Sequence, residues 1–377
     1  MPMHRGAFHL LSLIVAATMV SACGGGGSAG PPAPAAQPAA ATPQPLPSSS
    51  PPVTAQSVAV NATAWVPSAT VDPQDVHPAD ASASGVQPQF PGVARPGPVH
   101  MLPPLPGYGV APKSADRRPA GSGGRAPRSV LDDPSDVAYY GGSVLGGTVS
   151  HLIYVSTNYQ NCGTSCWGSP AQFLTDLGAS NFISYLDQYI GLTSPNRYTK
   201  GTSATVSTFV VTPSPAQNPV ISQTDIMGII IVAAQALGTP FNYGHVYHVM
   251  IPPGTDTCVD LTGHCYSPDS RNSFYFCGYH SSVDFGNGIH VLYTVEPYQG
   301  ASGCYTGIGL NNATANVLSH EMFETITDPD GAGWSRPSDG FEIGDICRFY
   351  LHTANLNGTN YILQSEYSNL NHACIGG

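Results

Sequence analysis

One short stretch of the chain concentrates carboxylates to an unusual degree. The chain carries 23 acidic residues among 377 and is only 9% charged, yet seven of those acids fall between Glu321 and Asp345, with Arg336 as the one base among them. Carboxylates this close together repel one another unless a cation lies between them. The stretch therefore predicts a cation site around which the rest of the fold is arranged.

The head of this stretch predicts a metal-binding helix. His320, Glu321 and Glu324 spell H-E-x-x-E, which differs by one residue from the H-E-x-x-H of zinc peptidases. On a helix, His320 and Glu324 fall on one stripe, and Glu321 projects about 60–100° away from them. Two ligands with a carboxylate beside them suit a zinc site that activates water. The motif therefore predicts Glu321 as the general base, which accepts a proton from water.

The helix has predictable ends and a predictable core face. Asn311 or Asn312 is expected to cap its start, and Pro329 ends it because proline disfavours helix at Asp328. An apolar stripe lies roughly opposite the ligand stripe and is expected to pack on the core. Its members are Leu318, Met322 and Ile326.

The third ligand is less constrained, because catalytic zinc sites use three protein ligands and a water. The candidates are Asp328, Glu342, Asp345, His280 and His290. We favour Glu342 or Asp345, since both lie in F-E-I-G-D-I-C. His280, in a C-G-Y-H turn, is also a candidate for a catalytic contact with substrate. A satisfied hydrogen bond is the commoner role of a histidine on a strand.

A structural calcium site is the alternative interpretation. Asp328, Asp330, Gly333 and Asp339 fall at positions 1, 3, 6 and 12 of an EF-hand-like register, but Ala332 occupies position 5, where an oxygen ligand is expected. The protein would then be a non-catalytic extracellular or cell-surface binding protein. Zinc on the helix and calcium in the loop are compatible with each other. A pair of carboxylates that hydrolyses glycosides also stays open.

The N-terminus predicts export. Residues 1–22 have a short basic start, an apolar run and then small residues, which is the pattern of a signal peptide. Val20 to Cys23 resembles a lipobox, in which Cys23 is lipidated and anchors the chain to a membrane; an ordinary signal cleaved nearby is the alternative. The expected location is the outer membrane or cell surface, or the extracellular space.

Residues 23–128 predict a disordered linker rich in Pro, Ala, Ser and Gly, because such a composition cannot offset its ordering entropy. Its later part carries half of the chain's 12 basic residues: Arg95, Lys113, Arg117, Arg118, Arg125 and Arg128. A soluble linker is the favoured interpretation. A processing site, a patch for acidic polymer or a propeptide over the active site are alternatives. The folded domain is expected at residues 129–377.

The cysteines support export. Without Cys23 an even number remains, which in an exported chain predicts four disulfides. Pairing between sequence neighbours is the simplest connectivity: Cys162–Cys166, Cys258–Cys265, Cys277–Cys304 and Cys347–Cys374. The net charge of −11 argues against nucleic acid as a partner.

The order of predicted elements indicates a single α/β (α+β) domain. Strands are expected at 150–157, 204–212, 243–252, 273–280 and 288–297, with short helices opening at Pro170 and Asn181 and a buried helix at 224–237. A hairpin turning at Asn357 and Gly358 follows the metal-binding helix. A mixed sheet that precedes a metal-binding helix is the zincin order, and this comparison is an analogy of architecture.

Four sequence blocks resemble the EXORDIUM-like (phosphate-induced protein) family, and in particular its bacterial secreted relatives. They are Y-Y-G-G-S-V-L (139–145), F-C-G-Y-H (276–280), S-H-E-M-F-E-T-I-T-D-P (319–329) and F-E-I-G-D-I-C (341–347). The resemblance covers most of residues 135–377 and implies an extracellular or cell-wall protein. It does not imply an activity, since plant members do not uniformly keep the histidine and glutamate of the helix. Together these features predict a zinc-dependent, peptidase-like hydrolase that acts on an extracellular peptide or cell-wall substrate.

Overall fold

A mixed β-sheet with helices on both faces positions the acidic stretch. The computed structural model describes residues 56–59, 94–110, 136–191, 197–210, 217–260, 263–304 and 307–376. The strands of these segments are β1 (Gln56–Ala59), β2 (Arg95–Pro96), β3 (His100–Leu102), β4 (Ala138–Tyr139), β5 (Thr148–Thr157), β6 (Tyr198–Lys200), β7 (Ala204–Thr208), β8 (Val220–Ser222), β9 (His245–Met250), β10 (Asp256–Cys258), β11 (Cys265–Tyr266), β12 (Gly278–Asp284), β13 (His290–Glu296), β14 (Trp334–Ser335), β15 (Leu351–Leu356), β16 (Thr359–Gln364), β17 (Glu366–Ser368) and β18 (Ala373–Ile375). The helices are α1 (Pro170–Gly178), α2 (Asp187–Ile190), α3 (Gln223–Leu237), α4 (Leu310–Thr327) and α5 (Ile343–Cys347), and a 3-10 helix covers Asn181–Leu186.

The main sheet has a parallel centre. Its strand order is β1-β7-β5-β9-β13-β12-β2, with β3 also pairing with β12 and β6 with β5. Strands β7, β5, β9 and β13 run parallel to one another, whereas β12 is antiparallel to β13. Parallel strands need cover on both faces, which is why the central strands read as nearly continuous apolar runs. The predicted mixed α/β class is confirmed.

Alternate residues of β5 face two different apolar layers. Leu152 and Tyr154 pack in the layer that contains α1 and one side of α4. Ile153 and Val155 pack in the layer that contains α3. This two-residue period is the signature of a strand buried on both sides. Helix α4 therefore lies over one face of the sheet and α3 over the other, within a single compact unit of residues 53–377.

Helix α4 is buried on every side from Ala313 onward. The predicted core stripe, Leu318, Met322 and Ile326, lies in the apolar layer. The predicted asparagine cap is wrong, because the N-cap is Gly309, which has no side chain. Asn311 instead accepts a hydrogen bond from the backbone N–H of Ser169. Asn312 donates to the carbonyl of Ile308 and accepts from the backbone N–H of Ile362 on β16.

Two other predicted elements differ little from the structure. Helix α3 begins with a capping box formed by Ser222 and Asp225. The hairpin β15–β16 turns at Asn357 and Gly358, which have φ of 49° and 89°.

The strand expected at 273–280 is instead β12, which starts at Gly278 and runs further. The preceding residues follow an irregular path in which the N–H of Tyr275 bonds to the carbonyl of Cys265.

Part of the predicted linker belongs to the folded domain. Strands β2 and β3 pair antiparallel with β12, and β1 pairs with β7. Backbone N–H groups of Gly97 and Val110 donate to the carbonyls of Ser282 and Phe274 at 2.8 and 2.9 Å. The prediction of a linker over all of 23–128 is therefore wrong for these residues. Backbone pairing and the burial of Leu102 offset the entropy that the segment loses when it becomes ordered. The predicted signal peptide, Cys23 and the basic residues from Lys113 to Arg128 lie outside the described residues.

The predicted disulfides are all present. The structure joins Cys162 to Cys166, Cys258 to Cys265, Cys277 to Cys304 and Cys347 to Cys374. Two of these bonds brace the elements next to the acidic stretch: one precedes β12, and the other ties α5 to β18. Among the described residues, none of the helices combines the length and the apolar character that a membrane span requires.

Candidate metal centre

A row of polar side chains crosses the sheet beneath α4. His100 on β3, His280 on β12, Thr294 on β13 and His248 on β9 are direct cross-strand neighbours. Neighbours in register point to the same side of a sheet. Gly278 shows that this side faces α4, because a Cβ on it would meet Glu321 Oε1 at 2.7 Å. The sheet thus presents histidines to the helix that carries the H-E-x-x-E motif.

The H-E-x-x-E residues converge as the helical spacing predicts. Nε2 of His320 lies 3.2 Å from Oε2 of Glu324, one turn along α4. Nε2 of His280 lies 3.5 Å from the same oxygen. Glu321 is fully buried, and His280, Glu321 and Glu324 offer ligand atoms that all lie within 4.8 Å of one another. The helix and strand β12 therefore share one cluster of donors.

Helix α5 brings the second acidic motif to the same place. Glu342 precedes the helix, and its Oε2 lies 3.3 Å from Nε2 of His280. Asp345 belongs with His320 and Glu324 to a group whose ligand atoms lie within 4.8 Å of one another, and its N–H donates to Glu324 Oε1 at 2.9 Å. Both favoured candidates for the third ligand, Glu342 and Asp345, thus lie at the centre, in two different donor groups.

Gly344 explains why α5 can approach α4 so closely. A Cβ at this position would lie 2.5 Å from Nδ1 of His320 and 2.9 Å from Oε1 of Glu324. These distances are shorter than van der Waals contact, so only glycine leaves room for both side chains in their present positions. The glycine in F-E-I-G-D-I-C is therefore part of the site's geometry.

The acids of the intervening loop have separate partners. Oδ1 of Asp328 accepts the N–H of Gly333 at 2.6 Å, and Asp330 accepts the hydroxyl of Tyr243 at 2.5 Å. Asp339 pairs with Arg336 at 2.7 Å. In the part of the chain that the structure describes, none of the three donor groups contains these acids. The loop does not gather them as an EF-hand-like register requires, and Asp328 lies outside the donor groups.

The remaining histidine candidate, His290, and two other strand histidines lie outside the donor groups. His290 is 3.4 Å from Asp284 and packs on the ring of Tyr243. His245 contacts His151 at 2.9 Å, and His248 contacts Thr294 at 2.8 Å. These contacts fit the ordinary roles of strand histidines.

Several of the atoms that could bind a metal lack hydrogen-bond partners. Both ring nitrogens of His280, Nε2 of His320 and both oxygens of Glu321 are buried without a partner, and all three side chains are 0% exposed. Leaving a buried polar group unpaired costs about 1–3 kcal/mol, and more for charged groups. A divalent cation would satisfy several of these lone pairs at once, so the residues fit a metal ion.

Electrostatics point the same way. Burial raises the pKa of Glu321 well above its usual value, against the influence of His280. Burial and the nearby Glu324 raise the pKa of Asp345 to about 7. Burial opposes the ionisation of Glu324, but His320 and His280 outweigh it and lower its pKa strongly. Burial also lowers the pKa of His280, yet Glu342 and Glu324 outweigh it and raise that pKa well above 6.5. The raised pKa values favour protons on Glu321, Asp345 and His280, and a cation bound among these groups would release such protons.

Two further acids are buried nearby but lie outside the donor groups. Burial raises the pKa of Glu296 to about 8, although Thr294 donates a hydrogen bond to it at 2.9 Å. Burial raises the pKa of Glu366 well above its usual value, and Glu324 adds to the shift. Both carboxyls are therefore held protonated near neutral pH.

Gln364 on β16 fixes the ring of His320. Its Nε2 lies 3.0 Å from Nδ1 of His320 and 2.7 Å from the carbonyl oxygen of Gly344. A contact at one ring nitrogen restricts how the ring can turn. Gln364 therefore orients the ring of a ligand candidate, whose Nε2 faces Glu324.

Replacing Gln364 with leucine is expected to weaken zinc binding by about 10–100-fold, the usual cost of losing a group that orients a ligand. The reason is that the ring of His320 would lose its hydrogen-bond contact at Nδ1. Competition with a fluorescent zinc chelator measures the affinity. Gln223→Leu is a matched control, since Gln223 bonds to Tyr279 on the other side of the sheet. Equal affinity in Gln364→Leu and the parent protein would contradict the role.

Sequence reasoning missed His100 and Gln364. His100 lies in a proline-rich segment, and only the short apolar run V-H-M-L-P-P-L (99–105) marks it as more than linker. Gln364 sits in a hairpin with no motif of its own. His100 reaches the site through the pairing of β3 with β12, and Gln364 through the packing of the β15–β16 hairpin on α4.

A small cleft of about 30 Å³ adjoins the site, which is room for one or two water molecules. Its lining includes Leu102 from β3, Asn316 and Val317 from α4, Arg348 after α5, and Gln364. The walls are apolar apart from these two amides and the guanidinium.

Comparisons with known proteins do not extend this description. No family model, no curated protein and no solved structure matches the chain.

Proposed function

We propose that the chain is an exported metal-dependent hydrolase of peptidase type. The observation that carries the proposal is the buried convergence of unpartnered donors on an H-E-x-x-E helix, with His280, Glu342 and Asp345 brought to it from β12 and the α5 region. The mixed sheet that precedes the helix is compatible with a zincin-like architecture. The four disulfides suit an extracellular location. The membrane anchor at Cys23 and the kinship with EXORDIUM-like proteins belong to the proposal and rest on the sequence alone.

The residues take distinct roles in this proposal. His320, Glu324 and Asp345 would hold the ion, for which zinc suits the mixed nitrogen and oxygen donors. A zinc ion bound here supplies Lewis acidity, which polarises a carbonyl and acidifies water. Glu321 has no competing hydrogen bond, and a neighbouring cation favours its ionised form, so it can accept a proton from water and return it to the leaving group.

The substrate is proposed to approach from the side of the adjoining cleft, which would have to widen to admit a peptide. Arg348 would face a carboxylate there, because its Nε has no hydrogen-bond partner in the structure, and Asn316 and Gln364 line the same cleft. An extracellular peptide or a cell-wall peptide offers such groups.

A non-catalytic binding protein with a structural ion is the second candidate. The observation that favours it is burial: His280, His320, Glu321 and Glu342 are 0% exposed and Glu324 is 1% exposed. Structural metal sites are closed, whereas catalytic sites keep an open position for water and substrate. The same donors would then brace α4, α5 and the sheet.

Metal content and turnover together test the proposal. The full chain, exported and purified, is analysed for zinc and calcium beside a His320→Ala, Glu324→Ala variant. His290→Ala serves as the control, because it removes a histidine outside the donor groups. We expect zinc in the parent protein, at least one ion fewer in the double variant and no change in the control. A peptide and cell-wall fragment screen, with and without chelator, then separates the two candidates.

The outcomes are distinct. Chelator-sensitive hydrolysis supports the hydrolase. Bound zinc without turnover of any substrate favours the structural role. Protein that binds no metal at all contradicts both candidates.

A further inference from the structure

We propose that His100, His280 and Glu342 hold a second divalent metal ion, next to the one assigned to His320, Glu324 and Asp345. The inference rests on the proposed function for the first ion, and it gives the N-terminal strand β3 a chemical role. It makes the centre a two-metal site.

Strand pairing places the two imidazoles together. His100 and His280 are directly opposite residues of the antiparallel pair β3–β12. Opposite residues point to the same side of a sheet with their Cβ atoms about 4.5–5.5 Å apart. Their rings stack with centroids 4.9 Å apart and planes 19° from parallel. Backbone hydrogen bonds between β3 and β12 fix the Cβ positions from which the two rings meet.

Glu342 reaches both histidines at once. Its Oε1 lies 2.5 Å from Nδ1 of His100, and its Oε2 lies 3.3 Å from Nε2 of His280. The three residues offer ligand atoms that all lie within 4.8 Å of one another. Ligand atoms of a tetrahedral zinc, each about 2.0–2.1 Å from the metal, lie about 3.3 Å apart. The contact between Oε2 of Glu342 and His280 has this spacing, whereas Oε1 and Nδ1 of His100 are at hydrogen-bond distance and would move apart around an ion.

Ion pairing satisfies only part of the cluster. His280 is 0% exposed, and Nδ1 of its ring has no hydrogen-bond partner. The oxygens of Glu342 contact one nitrogen of each histidine and have no other partner. Two stacked imidazolium ions would also repel each other. An ion between the three side chains would use the lone pairs that protein hydrogen bonds leave unused.

The two donor groups are adjacent but share no residue. The first group is His320, Glu324 and Asp345, and the second is His100, His280 and Glu342. They meet where Nε2 of His280 lies 3.5 Å from Oε2 of Glu324. Each ion therefore has three protein donors of its own. Hydrolases with two neighbouring ions use them to stabilise both the attacking and the leaving oxygen.

The segment around His100 is built to hold this position. The hydroxyl of Ser281 donates to the carbonyl of Pro98 at 2.9 Å. Gly331, at φ 68°, lets the loop after α4 pack on this segment. A Cβ at this position would lie 2.1 Å from Cγ of Pro98 and 3.2 Å from Nε2 of His100. The side chain of His100 is 22% exposed, so its ion would be the more accessible of the two.

The test is the number of ions bound by the full chain. The purified protein is loaded with Zn²⁺, freed of excess metal and analysed by elemental analysis; a second sample is loaded with Mn²⁺ for electron paramagnetic resonance. We expect two ions per chain in the parent protein and one in His100→Ala. The magnetic coupling between two Mn²⁺ ions should disappear in the variant.

Met101→Ala is the matched control, because Met101 lies on the same strand and packs in the apolar layer on the α3 side. It should keep two ions. Equal loss in Met101→Ala, or two ions in His100→Ala, would overturn the assignment to His100. His100→Gln, which keeps most of the volume, should also bind one ion.

Other results fail differently. One ion in both the parent and His100→Ala overturns the second ion and leaves the proposed function intact. One ion in the parent and none in His100→Ala shows a single ion held by His100, and again overturns the two-ion centre. Absence of metal from the parent overturns both proposals together.

Discussion

Glu321→Gln is expected to lower kcat by about 10²–10⁴-fold, the range attributed to a general acid–base group, without changing the metal content. The amide has nearly the shape of the carboxylate but cannot accept a proton from water. Glu321 is fully buried, and neither oxygen has a hydrogen-bond partner, so the structure gives it no bracing role that the amide would disturb. Turnover of a peptide substrate found by the screen, together with elemental analysis, measures both effects.

Glu366→Gln is the matched control for this substitution. Glu366 is another buried glutamate, and burial raises its pKa well above the usual value. It already carries a proton, so the neutral amide changes little. We expect its kcat to stay within a few-fold of the parent. Undiminished turnover in Glu321→Gln would remove Glu321 from the mechanism, whereas loss of metal would make it a ligand.

Gly344→Ala is expected to weaken zinc binding by at least about 100-fold and to destabilise the fold by about 1–3 kcal/mol, as overpacking in a tight site does. The new methyl group would lie 2.5 Å from Nδ1 of His320 and 2.9 Å from Oε1 of Glu324. Neither side chain can move away into solvent, since they are 0% and 1% exposed. One ligand or the whole of α5 has to shift. A zinc titration and thermal unfolding of the metal-free protein measure the two consequences.

Gly228→Ala controls for the change of glycine to alanine itself. Gly228 lies in helix α3, and a Cβ there has nothing within 4 Å. Alanine is favoured over glycine in a helix by about 1 kcal/mol, so this variant should be slightly more stable and bind zinc normally. If Gly344→Ala also bound zinc with parent affinity, the close approach of α5 would not matter for the site.

The parts of the site that lie close in sequence were predictable. The periodicity of α4 places His320 and Glu324 on one face, and the structure confirms it. The spacing of Glu342 and Asp345 marked α5 as the next contributor. In each case a local rule, the helical repeat or a short turn, fixes which side chains can meet. The cysteine pairing between neighbours held for the same reason.

The parts that depend on distant strand pairing were not predictable. His100 precedes the helix by more than 200 residues, and it meets His280 only because β3 pairs with β12. Its proline-rich surroundings argued for disorder, since composition weighs apolar burial but does not register backbone pairing. The acids of the loop after α4 show the same limit: Asp330 and Asp339 find protein donors in Tyr243 and Arg336, which no register along the chain reveals.

The same N-terminal pairing also covers two other strands of the sheet. Strand β1 is the last strand at one end of the sheet, beyond β7, and β2 with β3 is the last at the other end, beyond β12. An uncovered outer strand offers a row of free N–H and C=O groups to which a second molecule can add its own strand. A chain cut down to residues 129–377 would uncover β7 and β12 together. Strands β7 and β12 are thus kept from pairing with a second molecule by a segment that composition alone would assign to a tether.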